Sequence, residues 1–219
     1  MNYLPCVEVE PQNPADAAVI WLHGLGADGH DFEPIVPELR LPDNAAIRFI
    51  FPHAPSIPVT INNGMVMPAW YDILDISMDK KVDNKQLLVS SQAICALIDR
   101  EIARGIDSKR IVIAGFSQGG AVGYHTALTY SKPLAGLIAM SAYFATIESI
   151  VFSKENKSLP IQIYHGTIDP VVPEALGKIA YEALKMQSFN VHYQTYPMQH
   201  SVCAEEVHNI SGWLQKILL

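Results

Sequence analysis

The sequence predicts an α/β protein with one doubly wound, mostly parallel sheet and helices on both faces. Short runs of apolar residues alternate with longer amphipathic segments along the whole chain, which is typical of repeated strand–helix–strand units. The 219 residues contain no internal repeat, low-complexity tract or linker, so we expect a single domain over 1–219. In sheets of this kind, active residues gather in the loops at the carboxyl ends of the strands.

The first half of the chain supplies three predicted strands and one helix. Alternating apolar and acidic residues at 7–10 predict an edge strand, whereas the unbroken apolar runs at 17–23 and 46–51 predict buried strands. A helix is expected over 30–39. The segment 52–70 carries four prolines and is expected to be a long loop, which in a compact domain is usually functional or mobile.

The second half continues the same alternation. Helical periodicity predicts a long helix over 82–104, with Asp83 as its N-cap and Gly105 as its C-cap residue. The apolar run at 111–114 predicts the central strand, and a helix is expected over 120–130. Further strands are expected at 134–141, 159–165 and 191–196, and further helices at 173–187 and 202–218.

Charge and composition exclude several classes of function. The net charge of −7, without any cluster of Lys and Arg, argues against a nucleic-acid partner. Cys6, Cys95 and Cys203 have no C-x-x-C spacing, so we expect neither a disulfide framework nor a thiolate metal site, as in a reducing compartment. The first residues show no secretory signal pattern, and no apolar run approaches about 18 residues. We therefore expect a cytoplasmic protein that has no membrane span.

The strongest chemical signal is a G-x-S-x-G pattern directly after the central strand. Gly115 and Gly119 flank Ser117, and a helix is predicted to follow, which is the strand–turn–helix context of a nucleophilic serine. Glycine is needed at both positions because a Cβ there would collide with the neighbouring strand and helix. The helix N-terminus would direct free N–H groups towards an oxyanion formed on Ser117. Because the pattern also arises by chance, the assignment depends on its partners.

Two later segments supply the base and the acid that a nucleophilic serine needs. The expected chain order in this fold is Ser, then Asp or Glu, then His. Asp169 lies in the turn after one predicted strand, and His200 lies between the next strand and the last helix. We therefore assign Ser117 as the nucleophile, His200 as the general acid–base, and Asp169 as the residue that orients the imidazole and stabilises its charge.

Other side chains compete for these roles. Asp169 precedes a proline and also fits an ordinary turn former. Asp72 and Asp75 precede Ser117 in the chain, which breaks the expected order. The competing histidines lie inside predicted helices or strands or precede the acid: His125, His165, His192 and His208.

The glycine-rich loop after the first buried strand allows three interpretations. Its G-x-G-x-x-G spacing at 24–29 resembles a dinucleotide site, but the acidic residue expected about twenty positions later is absent. His23, His30 and Asp31 offer metal-ligating groups without a further ligand at a readable spacing. We favour the third interpretation, in which Leu25 and Gln118 each donate a backbone N–H to an oxyanion hole. No cofactor and no metal are therefore expected.

These segments resemble the acyl-protein thioesterase/carboxylesterase family of small α/β-hydrolases. The matching pieces occur in the family's order over nearly the whole chain: 22–30, 68–72, 115–121, 165–173 and 198–200. The resemblance implies the α/β-hydrolase fold, and it implies the same triad and oxyanion donors as the residues themselves. It also implies hydrolysis of carboxylic esters and thioesters of acyl chains through an acyl-enzyme intermediate. Departures from the family pattern at 57–67 and 144–157 fall where acyl-chain preference would be set.

The apolar segment at 57–70 is expected to cover an acyl-binding groove, or else to pack permanently on the core. We assign substrate binding to Trp70, Met65, Met67 and Val171, since Met and Trp suit adaptable apolar contacts. The same segment is expected to contact a lipid surface transiently. Alternatives are a lysophospholipase, lactone hydrolase or peptidase on the same triad, or a non-catalytic lipid- or protein-binding module. A weak homodimer is a further expectation.

Overall fold

The chain is organised around a seven-stranded sheet and a separate two-stranded sheet. The computed structural model describes residues 3–75 and 81–219. The strands are β1 (Cys6–Val9), β2 (Ala17–Leu22), β3 (Ile47–Pro52), β4 (Ser56–Val59), β5 (Met65–Pro68), β6 (Ile111–Phe116), β7 (Gly136–Met140), β8 (Pro160–Gly166) and β9 (Asn190–Tyr196). The large sheet has the order β1-β3-β2-β6-β7-β8-β9, in which β1 pairs antiparallel with β3 and all other neighbours pair parallel. The predicted mostly parallel sheet with β1 at its edge is confirmed.

Five helices cover this sheet in the described part of the chain: α1 (Ile35–Glu38), α2 (Asn84–Ala103), α3 (Gln118–Thr129), α4 (Glu174–Met186) and α5 (Ala204–Leu218). The N-cap prediction for α2 is confirmed, because the Asp83 carboxylate accepts from the Gln86 backbone N–H at 3.0 Å. The C-cap prediction was one residue late: Arg104 is the C-cap, and Gly105 follows it with a φ of +101°.

The helix predicted over 30–39 is wrong for most of its length. Only Ile35–Glu38 is helical. Pro34 cannot donate a backbone hydrogen bond and disfavours helical geometry in Glu33, so a helix cannot run through it. Pro37 is tolerated inside α1 because it lies in the first turn, where a backbone N–H has no acceptor within the helix. The 28–34 stretch forms turns instead.

Within the segment 52–70, which was expected to be a loop, Pro52 ends β3 and residues 56–68 form a β-hairpin. Strands β4 and β5 pair antiparallel, with Ile57 opposite Met67. Asn63 and Gly64 turn the chain at the tip with φ values of 54° and 73°. A two-stranded sheet leaves one edge of each strand unpaired, so its prolines remove no ladder bond that the hairpin needs.

The two faces of the large sheet bury separate apolar clusters, because successive side chains of a strand point to opposite faces. In β2, Ala18, Ile20 and Leu22 pack towards α2, α3 and α4, whereas Ala17, Val19 and Trp21 pack towards α1 and α5. Helices on both faces explain why β2 and β7 are buried along their full lengths. No helix among residues 3–75 and 81–219 is both long and apolar enough to cross a bilayer.

One buried carboxyl in α5 has no charged partner among the described residues that affects its pKa. Glu206 lies in the first turn of α5 and is fully buried. The Cys203 backbone is the one hydrogen-bonding group of the described residues that stabilises its charged form. Burial raises the pKa of Glu206 from its ordinary value of 4.5 to about 8, and the Cys203 backbone offsets only part of that effect.

This raised pKa predicts a pH-dependent loss of stability. Below about pH 4.5, Glu206 is protonated in both the folded and the unfolded chain, and its burial carries no charge penalty. As the pH rises towards 8, only the unfolded chain ionises freely, so the free energy of unfolding falls. We expect Glu206→Gln to raise the free energy of unfolding by on the order of 3 kcal/mol near pH 8 and to change it little near pH 4. Urea unfolding at both pH values measures this, with exposed Glu205→Gln as the control. Equal gains at both pH values would contradict the prediction.

Candidate active site

The nucleophile candidate lies on a strained turn between β6 and α3. Ser117 has a φ of 54°, an uncommon value for a residue with a side chain. A Cβ on Gly115 would lie 2.4 Å from the Gly119 carbonyl oxygen, and one on Gly119 would lie 2.5 Å from the His23 carbonyl oxygen. The turn therefore closes only with glycine at both positions, as the sequence predicted.

Three distant segments meet at this turn. His200 Nε2 lies 2.9 Å from Ser117 Oγ, and His200 Nδ1 lies 2.7 Å from Asp169 Oδ2. Asp169 is buried, and its Oδ1 accepts from the backbone N–H groups of Val171 at 2.8 Å and Val172 at 2.9 Å. Since an ionised carboxylate can only accept, His200 Nδ1 carries the proton and its Nε2 is left to accept from the serine hydroxyl.

A second histidine holds the loop that carries the acid. His165 is fully buried at the end of β8, and its Nε2 donates to the Val172 carbonyl oxygen at 2.8 Å. The same Nε2 lies 3.8 Å from Asp169 Oδ2. Burial lowers the pKa of His165, so the ring stays neutral while it holds the loop. His165, a rival base in the sequence analysis, therefore contacts the loop of the acid rather than Ser117.

The two predicted oxyanion donors lie on either side of Ser117. Leu25 belongs to a turn that is closed by the Ala27 N–H on the Gly24 carbonyl oxygen at 3.3 Å, with Gly26 at a φ of +79°. Gln118 is the first residue of α3. Across the described residues, the backbone N–H of neither Leu25 nor Gln118 donates to a protein acceptor. Both N–H groups are therefore available to an oxygen atom bound beside Ser117.

An apolar cavity of about 540 Å³ opens beside Ser117 and His200. Its apolar wall is formed by Leu25, Ile61, Ile73, Phe116, Tyr143, Pro170, Val171 and Val172. A cavity with a small number of polar groups at one end suits a ligand that is mostly apolar.

Of the four predicted substrate-binding residues, one lines the cavity and three do not. Val171 lines the cavity. Met65 and Met67 lie on the hairpin outside the cavity lining: Met65 is 63% exposed, and Met67 Sδ accepts from Asn62 Nδ2. Trp70 is 1% exposed and is not among the residues that line the cavity.

Two cavity residues, Ile73 and Tyr143, lie outside every segment that the sequence analysis picked out. Ile73 follows the 68–72 segment directly, and Tyr143 lies just beyond the carboxyl end of β7. The expectation that active residues gather at carboxyl strand ends was a signal for Tyr143. The rival acid Asp72 serves the hairpin, because its carboxylate accepts from Thr60 N at 2.7 Å and from Thr60 Oγ1 at 2.6 Å.

A serine on a strand–helix turn, backed by a histidine and a buried aspartate at the carboxyl rim of this sheet, defines the class of protein as an α/β-hydrolase. The model of the phospholipase/carboxylesterase family matches residues 5–218. Acyl-protein thioesterase 1 of Neurospora crassa is 42% identical over 213 residues, which cover 92% of this chain and 87% of that protein.

Solved structures agree with this match. SOBER1 of Arabidopsis thaliana has a TM-score of 0.86 and 33% identity, with 93% of this chain and 99% of that chain covered. Acyl-protein thioesterase 2 of Zea mays has a TM-score of 0.87 and 28% identity, with 99% of this chain and 100% of that chain covered. The chain belongs to the phospholipase/carboxylesterase family and is a hydrolase.

Two helical glycines give a matched test of the loop that carries Asp169. A Cβ on Gly177 in α4 would lie 2.3 Å from His165 Nδ1, whereas one on Gly212 in α5 would meet no atom within 4 Å. We expect Gly177→Ala to displace His165 and lower kcat/KM by on the order of 10- to 100-fold, because the acid is then misplaced. We expect Gly212→Ala to stabilise the fold by about 0.5–1 kcal/mol with unchanged activity. Ester hydrolysis and urea unfolding measure both, and full activity in Gly177→Ala would refute the role of His165.

Proposed function

We propose that this protein is a serine hydrolase that cleaves carboxylic esters and thioesters of acyl chains through an acyl-enzyme intermediate. The hydrogen-bonded chain from Ser117 Oγ through His200 to Asp169, at 2.9 and 2.7 Å, carries this proposal. The apolar cavity beside it supports an acyl group as the part of the substrate that is bound. The phospholipase/carboxylesterase family model supports an ester, and the relatives named acyl-protein thioesterase support a thioester.

In the proposed reaction, Ser117 Oγ attacks the acyl carbonyl carbon while its proton passes to His200 Nε2. The carbonyl oxygen becomes an oxyanion that accepts from the backbone N–H groups of Leu25 and Gln118. Collapse of this intermediate breaks the bond to the alcohol or thiol, which leaves with the proton from His200. Water then attacks the acyl-serine and gives a proton to His200. The second tetrahedral intermediate collapses as His200 returns this proton to Ser117 Oγ, which releases the carboxylic acid and free Ser117.

The surroundings of the cavity support an amphiphilic substrate. Val66 on the hairpin is 64% exposed next to Met65, and Val171 on the acid loop is 54% exposed at the cavity. We propose that the hairpin contacts a lipid surface transiently while the acyl chain enters. Lysophospholipase activity on the same triad is the second candidate function, because a lysophospholipid is also amphiphilic.

The cysteines support the predicted cytoplasmic location. Cys6, Cys95 and Cys203 are free thiols. Burial raises the pKa of both Cys6 and Cys95 to about 11, so these two thiols are poor nucleophiles and poor metal ligands. Free thiols are the expected state in a reducing compartment.

A fluorophosphonate probe tests the proposed chemistry. We expect the wild type to be labelled, and Ser117→Ala to lose labelling together with about 10⁴-fold or more of its kcat on p-nitrophenyl acyl esters. Ser158→Ala, at an exposed position, should keep both. An unlabelled and inactive wild type would instead favour a non-catalytic binding module.

Liposome co-sedimentation tests the proposed lipid contact. We expect the double change Met65→Asp and Val66→Asp to reduce sedimentation with anionic vesicles, since it adds two charges to an exposed apolar surface. Activity on a short, soluble ester should not change. The matched control is the double change Val89→Asp and Met186→Asp, which adds two charges at exposed apolar residues of α2 and α4, outside the hairpin. Equal sedimentation of the hairpin variant and the wild type would refute the contact.

A further inference from the structure

Trp70 makes hydrogen bonds to Gln118, one proposed oxyanion donor, and to His23, two residues before the other donor, Leu25. Its indole Nε1–H donates to the His23 carbonyl oxygen at 2.9 Å, and its backbone N–H donates to Gln118 Oε1 at 2.8 Å. Its own carbonyl oxygen accepts from Ser90 Oγ of α2. All three polar groups of this buried residue are thus fixed, and two of them hold the segments on either side of Ser117.

The loop that carries the Leu25 amide is held at three successive peptide units. The His23 carbonyl oxygen accepts from Trp70. The Gly24 carbonyl oxygen contacts His23 Nδ1 at 2.7 Å, and the Gly26 N–H donates to the Pro68 carbonyl oxygen at 2.8 Å. In a planar trans peptide, C=O and N–H point in opposite directions, so fixing the Gly24 carbonyl also fixes the direction of the Leu25 N–H.

The protonation of His23 follows from its contacts. His23 Nε2 accepts from the Ala54 backbone N–H at 3.1 Å, so in the neutral ring Nδ1 carries the hydrogen and donates to Gly24. Burial lowers the pKa of His23, which keeps the ring neutral. The Trp70 ring packs against this imidazole with centroids 5.1 Å apart, so Trp70 supports both the ring and the carbonyl of His23.

The other half of the oxyanion hole depends on the same segment. The Gln118 side chain accepts from Trp70 N and donates through Nε2 to the Tyr71 carbonyl oxygen at 2.6 Å. The Gln118 side chain is therefore anchored to the backbone of residues 70 and 71, while the Gln118 backbone N–H lies in the first turn of α3 next to Ser117.

We propose that Trp70 is a positioning residue for the oxyanion hole, through which the base of the hairpin sets the directions of the Leu25 and Gln118 N–H groups. This assignment deepens the proposed function and rests on it. It replaces the expectation that Trp70 contacts the acyl chain. Trp70 would then stabilise the transition state, in which the oxyanion forms, and would leave the affinity for the bound substrate unchanged.

The experiment compares two Trp→Phe variants, each of which replaces a buried indole by a phenyl ring and removes its N–H group. Trp21 Nε1 has no hydrogen-bond partner in the described part of the chain, so Trp21→Phe is the matched control for Trp70→Phe. We expect Trp70→Phe to lower kcat by about 10- to 100-fold, less than the loss of a whole oxyanion donor, with KM unchanged for every acyl length. The inhibition constant of an alkyl trifluoromethyl ketone, which forms the oxyanion, should rise by the same factor. Each rate is divided by the concentration of active sites, measured as the amount of protein that the fluorophosphonate has labelled once labelling is complete. Misfolded protein is not labelled and is thereby excluded from kcat.

The outcomes separate this inference from the proposed function. Unchanged kcat per labelled site in Trp70→Phe, or a loss equal to that of Trp21→Phe, would overturn the positioning role. A rise in KM that grows with acyl length would place Trp70 in the groove and would also overturn it. If Trp70→Phe does not fold, replacement of Trp70 by 3-benzothienylalanine, in which sulfur takes the place of the indole N–H, gives the same comparison. An inactive, unlabelled wild type would refute the proposed function itself.

Discussion

The close approach of three backbone segments at Ser117 is the constraint on which the rest of the site depends. The end of β2 and the start of α3 touch so closely that a Cβ on Gly119 would lie 2.5 Å from the His23 carbonyl oxygen. The same contact brings the Leu25 loop next to the serine, and the serine accepts a φ of 54° to make the turn. The backbone strain is maintained because β6 is buried in the middle of the sheet and cannot relax outward.

A second close approach sets the distance between the acid and the base. Strands β8 and β9 pair in parallel up to Gly166 and Tyr196. A Cβ on Gly166 would lie 2.4 Å from the Met198 carbonyl oxygen, so the segments that carry Asp169 and His200 leave the sheet in direct contact. The 2.7 Å contact between the two side chains follows from this backbone geometry and needs no flexible segment to form.

The sequence predicted what is encoded locally, and it missed what depends on pairing or packing between distant residues. Buried parallel strands show as continuous apolar runs, and the serine turn shows as two glycines, so both could be predicted from short windows. The hairpin carried a turn signal in Asn63-Gly64, but its prolines favoured a loop, and only the pairing of β4 with β5 shows that they are tolerated. Trp70 follows the hairpin in sequence and so suggested a cavity residue, whereas it bonds to Gln118 and Ser90, which are distant in the chain.

Three histidines lie at the proposed site, and their environments give them different roles. His23 and His165 are buried, and burial lowers the pKa of each, so both remain neutral donors that hold a backbone carbonyl on opposite sides of the serine. Protonation of either ring would change a loop contact as well as a charge. His200 differs because its Nε2 faces Ser117 Oγ and its Nδ1 faces a carboxylate. When His200 takes up a proton, Asp169 stabilises the charge, and the hydrogen bonds that His23 and His165 make to backbone carbonyls do not change. His200 can therefore transfer protons while the loops that carry Leu25 and Asp169 stay in place.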